Sequence, residues 1–513
     1  MKIIPAPATC ITKEGSLKIP AVDLSVENYM SDLQKLGVKV SLCPSQFSPD
    51  DAKTDSQSYS LDVDADGISV KAGGEQGVFY AYLTLAQLLH NYSFELPYCS
   101  ITDRPRFNYR GYMLDVGRYF MPVENIKSLI RLCALHKINK FRIHITEDQG
   151  WRIEIKKYPL LTQKGSVRNG TNFSHKKHSG FYTQDELKDL VAYCKKFFIE
   201  LIPEIDMPGH SRAAIACYPE LSCFDRKLPV ATHWGVKHDI LCAGKESTYK
   251  FAEDVWDEAC QIFDSEYVHI GGDEAPKTRW KICPHCQKKM REEGLENEEQ
   301  LQSVFVNRLA KYLQSKGKKV MMWNEFSPTF MTDKTLIRQF WSSPAKDQTA
   351  IRKELSEGIE YVNSDAASCY LDLPEKTVTL KKGYLFNPFI EGAEKGLTGV
   401  EACLWSEYVP DWKKAQKLTL PRLCALSETM WTDIPDDKKE YDEFLSRLDA
   451  HCKYLKQFGY LIADYSDSLA NKTRKFFSWL WFNRRPLHWE GLHNALDNAK
   501  VKRKFGKHKK DNL

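Results

Sequence analysis

Between residues 107 and 450 the chain repeats a short apolar segment followed by a longer amphipathic one, and this order most constrains its fold. The apolar segments are typical of strands, and several of the stretches between them place apolar residues at helical spacing. We predict strands at 110–116, 141–146, 199–205, 267–271, 319–324, 336–341, 360–364 and 399–405, and helices at 123–137, 184–197, 247–263 and 297–316. This β–α order predicts an α/β fold of the (β/α)8 TIM-barrel type, with a doubly wound open sheet as the alternative.

The polar and aromatic residues that follow these strands favour the barrel. In (β/α)8 barrels, catalytic groups lie where strands end and βα loops begin. Every predicted strand is followed by such residues, in chain order Asp115 and Arg118, Glu147 and Asp148, Asp206 and His210, Asp273 and Glu274, Trp323 and Glu325, Trp341, Tyr370 and Asp372, and Trp405 and Glu407. So many strand ends contributing to one rim are difficult to obtain by chance, and the pattern predicts an active site there.

A smaller domain precedes the predicted barrel, and an extension follows it. Residues 58–64 alternate apolar and polar side chains up to Asp66-Gly67, after which 68–70 resume the alternation, and this predicts a β-hairpin. Helical spacing of apolar residues over 78–89 predicts a helix that covers the sheet. We therefore divide the chain into an N-terminal α+β domain (1–103), the barrel (104–455) and a basic, aromatic-containing extension (456–513).

The most informative short motif is His269-Ile-Gly-Gly-Asp-Glu274, at the end of a predicted strand. Glycines at a strand end let the backbone approach a ligand, and they set Asp273 and Glu274 just beyond the strand. Burial beside Asp273 would raise the pKa of Glu274 and suit it to act as a general acid on a sugar, whereas capping of the next helix is the structural alternative. Ordinary glycosidases hold two carboxyls about 5–9.5 Å apart across the scissile bond, so an adjacent pair needs a different division of labour.

Other residues at the strand ends complete a predicted sugar site. His210 follows a Pro-Gly turn and is placed to relay or tune the proton on Glu274. Tryptophans suit the apolar faces of a pyranose, although a core position is the alternative for each of Trp323, Trp341 and Trp405. Charged groups that would bind sugar hydroxyls, or otherwise form surface ion pairs, are Arg118, Asp372 and Glu407.

The composition predicts a globular protein whose charge is unevenly distributed. With 42% hydrophobic and 27% charged residues, no visible signal peptide and no membrane-spanning segment, the chain is expected to be cytoplasmic. Residues 471–513 hold 12 Lys/Arg and 3 Asp/Glu, whereas the rest of the chain holds 61 and 65. One interpretation of the aromatics at 476–482 and the Lys-rich end is a weak contact with a membrane surface, a nucleic acid or an acidic glycan. We favour the alternative, in which the aromatics pack on the barrel and the Lys-rich end is solvated.

The 15 cysteines form no disulfide-like spacing pattern, and free, mostly buried thiols in a reducing compartment are the simplest interpretation. Cys283-Pro-His-Cys286 has the spacing of half a zinc site, but no second Cys/His pair lies at finger spacing. A helix-starting turn with two free thiols is therefore the favoured interpretation, and neither a metal nor a cofactor is predicted. The sequence contains no Walker A loop and no H-E-x-x-H motif, and no nucleic-acid partner is predicted.

These motifs resemble those of the family 20 β-N-acetylhexosaminidases over about residues 1–455. The resemblance rests on five ordered motifs: Arg110-Gly-Tyr-Met-Leu-Asp-Val-Gly-Arg118, Glu147-Asp-Gln-Gly-Trp-Arg152, Pro203-Glu-Ile-Asp-Met-Pro-Gly-His210, His269-Ile-Gly-Gly-Asp-Glu274 and Leu404-Trp-Ser-Glu407. It implies an exo-acting, retaining hydrolase that removes terminal β-linked GlcNAc or GalNAc. In this family the substrate's own 2-acetamido oxygen attacks the anomeric carbon and forms an oxazolinium ion.

The resemblance also implies a role for each site residue. Glu274 would be the acid/base, Asp273 would orient the acetamido N–H, and Tyr370 would hydrogen-bond the acetamido oxygen. Glu147 corresponds to the acidic residue that pairs with the histidine matching His210. The remaining implied substrate-binding residues are the pocket walls Trp323, Trp341 and Trp405 and the hydroxyl-binding Arg118, Glu407 and Asp372.

Some positions depart from the usual family pattern. Glu147 replaces an aspartate and adds a methylene, which would shift its pairing with His210. Further departures are Arg142-Ile143 for His-Trp, Asn324 for Asp and Ser342 for Arg, and they bear on substrate preference. A disaccharide-releasing or sulfated-sugar-specific relative, and an inactive carbohydrate-binding protein, are the alternatives to a β-N-acetylhexosaminidase.

Overall fold

The protein is described from a computed structural model that covers residues 1–44, 46, 55–171, 176–324, 331–341, 349–466, 469–483 and 487–505. Two positions from the sequence interpretation, Glu325 and Ser342, lie outside the described residues, as does the Lys-rich end at 507–510. Within the described part of the chain, no helix is long and apolar enough to cross a membrane.

The N-terminal domain is a five-stranded sheet with helices packed on it. Its strands are β1 (Thr9–Lys18), β2 (Lys39–Leu42), β3 (Tyr59–Asp64), β4 (Gly67–Ala72) and β5 (Glu95–Asp103), in the spatial order β1-β5-β3-β4-β2. The predicted hairpin is formed by β3 and β4, which pair antiparallel from Tyr59 with Ala72 to Asp64 with Gly67. Gly67 has φ +120°, a conformation that side chains disfavour, and this explains the glycine at the turn.

The predicted helix of this domain spans Glu75–Asn91, longer than the apolar spacing suggested, and Tyr29–Lys35 is a second, shorter helix. Residues Gly77 to Leu89 of the longer helix are all buried, between the sheet and the barrel. A charged contact crosses to the barrel as well, since the fully buried Lys137 donates to Asp103 at 2.8 Å. The buried Lys137–Asp103 pair and the helix together attach the small domain to the barrel.

The second domain is a closed barrel of eight parallel strands. They are β6 (Tyr109–Asp115), β7 (Lys140–His144), β12 (Glu200–Glu204), β13 (Tyr267–His269), β14 (Lys319–Trp323), β15 (Ile337–Phe340), β16 (Tyr361–Asn363) and β17 (Leu397–Leu404). Strand β17 pairs in parallel with β6, from Gly399 with Tyr109 to Leu404 with Leu114, so the sheet closes. The prediction of a TIM barrel is confirmed, and the open sheet is excluded.

Helices and short strands connect the barrel strands. The loop after β7 carries the small pairs β8 (Thr146–Glu147) with β9 (Gly150–Trp151) and β10 (Val167–Arg168) with β11 (His178–Ser179). The α-helices of this region span Val123–Leu135, Leu160–Gln163, Gln184–Lys195, Arg212–Cys217, Glu246–Ile262, Pro284–Glu292, Glu298–Ser315, Thr349–Ser356, Ala366–Cys369, Leu380–Leu385, Trp412–Thr419, Arg422–Trp431 and Tyr441–Gln457. The four helices predicted from spacing agree with this set to within about two residues.

A buried charge cluster occupies the barrel interior beneath the rim. Arg142 on β7 lies between Glu204 on β12 and Glu401 on β17, and its Nε donates to Glu401 at 3.0 Å. The Arg142 guanidinium also stacks under the Trp323 ring, 4.6 Å from its centroid. The departure at position 142 therefore lies in the barrel core, and its neighbour Ile143 is fully buried too.

Within its described residues, the C-terminal extension forms two helices, Leu469–Asn483 and Leu487–Phe505. The second helix contacts the barrel loops, because Asp497 accepts from Arg226 and Arg279 at 2.7 Å each. Phe505 stacks on Phe224 with centroids 4.5 Å apart. In the first helix, Phe476 and Phe477 remain 44% and 60% exposed, so these two aromatics are not buried against the barrel.

Candidate active site

Two neighbouring barrel strands supply the proposed proton-transfer groups. His210 lies on the loop after β12, and Asp273 and Glu274 lie on the loop after β13. His210 Nε2 lies 3.7 Å from both Asp273 Oδ2 and Glu274 Oε2. Cys283 occupies the N-cap position of the next α-helix and makes no side-chain capping hydrogen bond, so the acidic pair does not cap that helix.

Backbone conformation sets the direction of these side chains. His210 and Glu274 both adopt φ +47°, a conformation that is uncommon for non-glycine residues. The preceding Gly271 has φ +69°, and a Cβ there would lie 1.8 Å from Asp206 Oδ1. Glycine is therefore required at position 271, because the strand end passes directly against the Asp206 carboxylate.

Glu147 forms the predicted pair with His210 despite its extra methylene. Its Oε1 lies 2.7 Å from His210 Nδ1, and its Oε2 lies 3.1 Å from His144 Nε2. Burial alone would lower the pKa of His210, but the carboxylates of Glu147, Asp206 and Asp273 raise it well above its usual value. These carboxylates favour the protonated form of the imidazole, which lies between Glu147 and the acidic pair.

Arg118 connects three strand ends in one ion-pair network. Its guanidinium lies 3.1 Å from Asp115, 3.2 Å from Glu147 and 3.5 Å from Glu407. It also stacks 4.9 Å from the centroid of Trp405. Since Asp115 and Glu147 already fix the guanidinium, its remaining donor capacity is directed toward Glu407 and the open rim.

Aromatic side chains form a floor and walls around this rim. Trp323 is 1% exposed and donates its indole N–H to Glu204 at 2.7 Å, so it forms the floor. Its ring lies 5.7 Å from that of Trp405, which lies 6.0 Å from Tyr370. Trp341 packs in the same cluster and, like Trp405 and Tyr370, is only partly buried. Burial raises the pKa of Tyr370 well above its usual value, so its hydroxyl remains a neutral donor.

Two acidic residues complete the side of the rim opposite the acidic pair. Asp372 Oδ1 accepts from the backbone N–H of Trp405 at 3.4 Å. Burial and the Glu407 carboxylate raise the pKa of Asp372 to about 8. Burial also raises the pKa of Glu407, although Arg118 opposes that shift. A carboxyl that is partly protonated near neutral pH can both donate to and accept from a sugar hydroxyl.

The structure brings the predicted site residues to one rim. Asp273 Oδ1 and His210 Nε2 are buried there and have no hydrogen-bond partner among the described residues, so both are available to a ligand. The sequence interpretation gave no role to His144 or Glu204, which hold Glu147 and Trp323 from below. The sequence did contain a signal for both residues, because each is the last residue of a barrel strand. That position alone did not identify them, because residues that face into the barrel core also end strands.

The chain belongs to glycoside hydrolase family 20. The profile "Glycosyl hydrolase family 20, catalytic domain" matches residues 107–434, and "Glycosyl hydrolase family 20, domain 2" matches residues 1–104. The resemblance inferred from the motifs is thereby confirmed. The profiles also separate the same two units that the small sheet and the barrel form.

Individual relatives agree with this family assignment. The chain is 39% identical over 427 residues to a Porphyromonas gingivalis "Beta-hexosaminidase", covering 79% of this chain and 54% of that protein. It resembles the "crystal structure of a beta-N-acetylhexosaminidase" with a TM-score of 0.81 and 30% identity, over 92% of this chain and 98% of that one. A Vibrio harveyi exo-β-N-acetylglucosaminidase in complex with N-acetylglucosamine gives a TM-score of 0.78 and 28% identity, over 90% and 78%.

Proposed function

We propose that this protein is a β-N-acetylhexosaminidase that removes terminal, non-reducing β-linked GlcNAc or GalNAc with retention of configuration. The observation that carries the proposal is the Asp273-Glu274 pair, whose two carboxylates each lie 3.7 Å from His210 Nε2 at the strand ends. Only one of the two carboxyls is needed for the proton when the nucleophile is the substrate's acetamido oxygen. Two carboxyls on neighbouring residues do not suit a glycosidase that places one carboxyl on each side of the scissile bond. They do suit a mechanism in which the substrate supplies its own nucleophile.

Each residue has a step in the proposed reaction. Glu274 protonates the leaving oxygen as the acetamido oxygen attacks the anomeric carbon, and it then deprotonates the water that opens the oxazolinium ion. The Asp273 carboxylate accepts from the acetamido N–H and stabilises the positive charge of that ion. Tyr370, a neutral donor in the same aromatic cluster, aligns the acetamido oxygen.

The rest of the rim supports binding of the sugar. Trp405 and Trp341, which are only partly buried, offer apolar surfaces to the pyranose and the acetamido methyl, and the buried Trp323 packs against Trp405. Arg118, Glu407 and Asp372 provide charged hydrogen-bond partners for the ring hydroxyls. The Vibrio harveyi relative solved with N-acetylglucosamine supports the choice of sugar.

Release of 4-nitrophenol from its β-GlcNAc and β-GalNAc glycosides tests the proposal. The wild-type protein should hydrolyse at least one of them and leave the β-glucoside intact, because glucose lacks the acetamido nucleophile. Glu274→Gln should lower kcat roughly 10²–10⁴-fold, whereas Glu266→Gln, at the opposite end of the barrel, should not. Sugar binding by a wild-type protein without turnover would instead favour the carbohydrate-binding alternative.

Product analysis separates the hydrolase from its closest alternatives. Digestion of defined glycans should release single N-acetylhexosamine units in the β-configuration, as followed by proton NMR of the first-formed anomer. Release of disaccharides would contradict the removal of single sugar units, and hydrolysis restricted to sulfated sugars would contradict unsubstituted GlcNAc or GalNAc as the substrate.

A further inference from the structure

A second group of reactive side chains lies beside the active-site loops. Cys223 and Cys242 belong to the loop after β12, and Cys283 and Cys286 belong to the loop after β13 and the helix that follows it. Their four Sγ atoms all lie within 4.8 Å of one another. The side chains are buried, with exposures of 6% for Cys223 and 0% for the other three. The sequence interpretation had assigned free thiols to the second pair because no partner pair lay at finger spacing.

The sulfur–sulfur distances match tetrahedral metal coordination. They are 3.6 Å for Cys242–Cys286, 3.7 Å for Cys242–Cys283 and 3.9 Å for Cys223–Cys286. Four thiolates about 2.3 Å from one Zn²⁺ in a tetrahedron are separated by about 3.8 Å. A disulfide requires about 2.05 Å, and Cys286 lies almost equally far from two partners, which suits a shared ion better than a bond to one of them.

We propose that Cys223, Cys242, Cys283 and Cys286 bind one structural zinc ion that joins the loop after β12 to the loop after β13. The ligand set is four cysteine thiolates with no fifth donor required, which is the composition of closed structural zinc sites. Binding forms four Zn–S bonds and releases the four thiol protons to solvent, and no redox change occurs. The site is separate from the rim, because none of the four cysteines is among the residues placed against the sugar.

The backbone around the cluster is built to bring the two loops together. A Cβ at Gly244 would lie 2.2 Å from the carbonyl carbon of His285 and 2.3 Å from the backbone nitrogen of Cys286. Glycine is therefore required for this approach, because backbone atoms cannot move aside as a flexible side chain can.

The proposed ion would position the catalytic loops without contacting substrate. His210 lies on one of the joined loops, and Asp273 and Glu274 lie on the other. The two 3.7 Å distances from His210 Nε2 to those carboxyls depend on the relative position of the loops. Packing of four thiols as small apolar groups is the alternative, and it requires no metal.

Metal analysis of the full-length protein, purified under reducing conditions without chelator, tests the proposal. Elemental mass spectrometry should find about one zinc per chain. Cobalt substituted for zinc should give the thiolate charge-transfer and visible bands of a tetrahedral site. Fewer than about 0.1 zinc per chain after incubation with Zn²⁺, or a disulfide within the cluster, would overturn it, and these wild-type measurements do not depend on any variant folding.

Variants locate the ion. Cys283→Ala with Cys286→Ala should reduce the zinc content at least about tenfold, whereas Cys194→Ala, a buried thiol outside the cluster, should leave it unchanged. Gly244→Ala should weaken zinc retention against a chelator, while Gly383→Ala, whose Cβ would meet nothing closer than 3.6 Å, should not. Undiminished zinc in the double cysteine variant would refute the assignment of these ligands, whatever the hydrolase assay gives.

Discussion

His210 Nδ1 lies 2.7 Å from Glu147 Oε1, while the opposite nitrogen of the same imidazole lies 3.7 Å from both Asp273 and Glu274. One histidine therefore connects a buried anion on the loop after β7 to the acidic pair on the loop after β13. The longer glutamate at position 147 does not break this arrangement, because its second oxygen is held by His144. The geometry makes Glu147 a positioning residue whose effect is exerted through His210.

Replacing Glu147 should change the titration of His210. In Glu147→Gln the pKa of His210 should fall, because burial still lowers it and the carboxylate that lies 2.7 Å from its Nδ1 is gone. NMR titration of the ring, assigned by the signal missing in His210→Gln, measures the shift. We expect kcat to decrease roughly 10- to 100-fold, since one buried charged group loses its partner. An unchanged His210 pKa would contradict the pairing.

The same variant predicts a dependence of stability on pH. The folded-state pKa of His210 is raised above its unfolded value of about 6.5, so its contribution is complete below that pH and is lost as pH rises through the folded pKa. The difference in Tm between wild type and Glu147→Gln should therefore narrow at alkaline pH. A difference that stays constant between about pH 6 and the alkaline range would show that His210 is not the titrating group.

Asp273→Asn should separate binding of the sugar from formation of the oxazolinium ion. The amide keeps the shape of the side chain but loses the charge, so kcat should decrease roughly 10²–10³-fold, with a smaller change in KM. A thiazoline that mimics the bicyclic intermediate should bind correspondingly more weakly, as isothermal calorimetry would measure. Asp264→Asn, whose side chain is 58% exposed at the other end of the barrel, is the matched control.

Asp372 should make the protein less stable as the pH rises above the acidic range. Its pKa of about 8 in the folded state exceeds the unfolded value of about 3.9, so the folded protein binds the extra proton between these limits. The free energy of unfolding should therefore decrease across that window, and Asp372→Asn should flatten the decrease. Tm recorded from about pH 5 to 8 tests this, with the exposed Asp189→Asn as control. Parallel profiles for Asp372→Asn and wild type would contradict it.

Two truncations should separate the roles of the C-terminal extension. Removal of 467–513 deletes Asp497 and Phe505, which contact the loops after β12 and β13, so Tm should decrease by several degrees. Removal of 506–513 alone leaves those contacts and should change neither Tm nor kcat. If the basic end contacts anionic surfaces, this shorter truncation should weaken binding to anionic vesicles at low salt. An unchanged Tm in the longer truncation would show that the helix adds nothing to stability.

Much of the fold was predictable because barrel strands have a local signal. Apolar runs of the right length, each followed by a polar or aromatic residue, located all eight strands to within a few residues. The N-terminal sheet was less predictable, since β1 is mostly exposed and its pairing with β5 joins residues that lie far apart in sequence. The exposed β1 strand carries no apolar alternation that would mark it.

The candidate site was predictable to a similar extent, and for the same reason. Residues at strand ends such as Arg118 and Glu274 follow a recognisable strand, so their position at the rim could be inferred. The role of Arg142 could not be inferred from the sequence. Arg142 replaces a residue that is usual in the family, and this replacement was interpreted as a change that affects substrate preference. Its position between Glu204 and Glu401 shows a charge placed in the barrel core instead.

The sequence by itself determined the β–α order and the acidic pair after β13, because hydrophobic periodicity and local motifs act over a few residues. Only the tertiary structure decided which distant residues meet. Closure of the barrel places the loop after β12 beside the loop after β13, and this brings Cys223 and Cys242 to Cys283 and Cys286. The C-terminal helix also contacts these two loops through residues that are distant in sequence, because Asp497 accepts hydrogen bonds from Arg226 and Arg279. Such contacts leave no pattern in the chain, because no local spacing requires them.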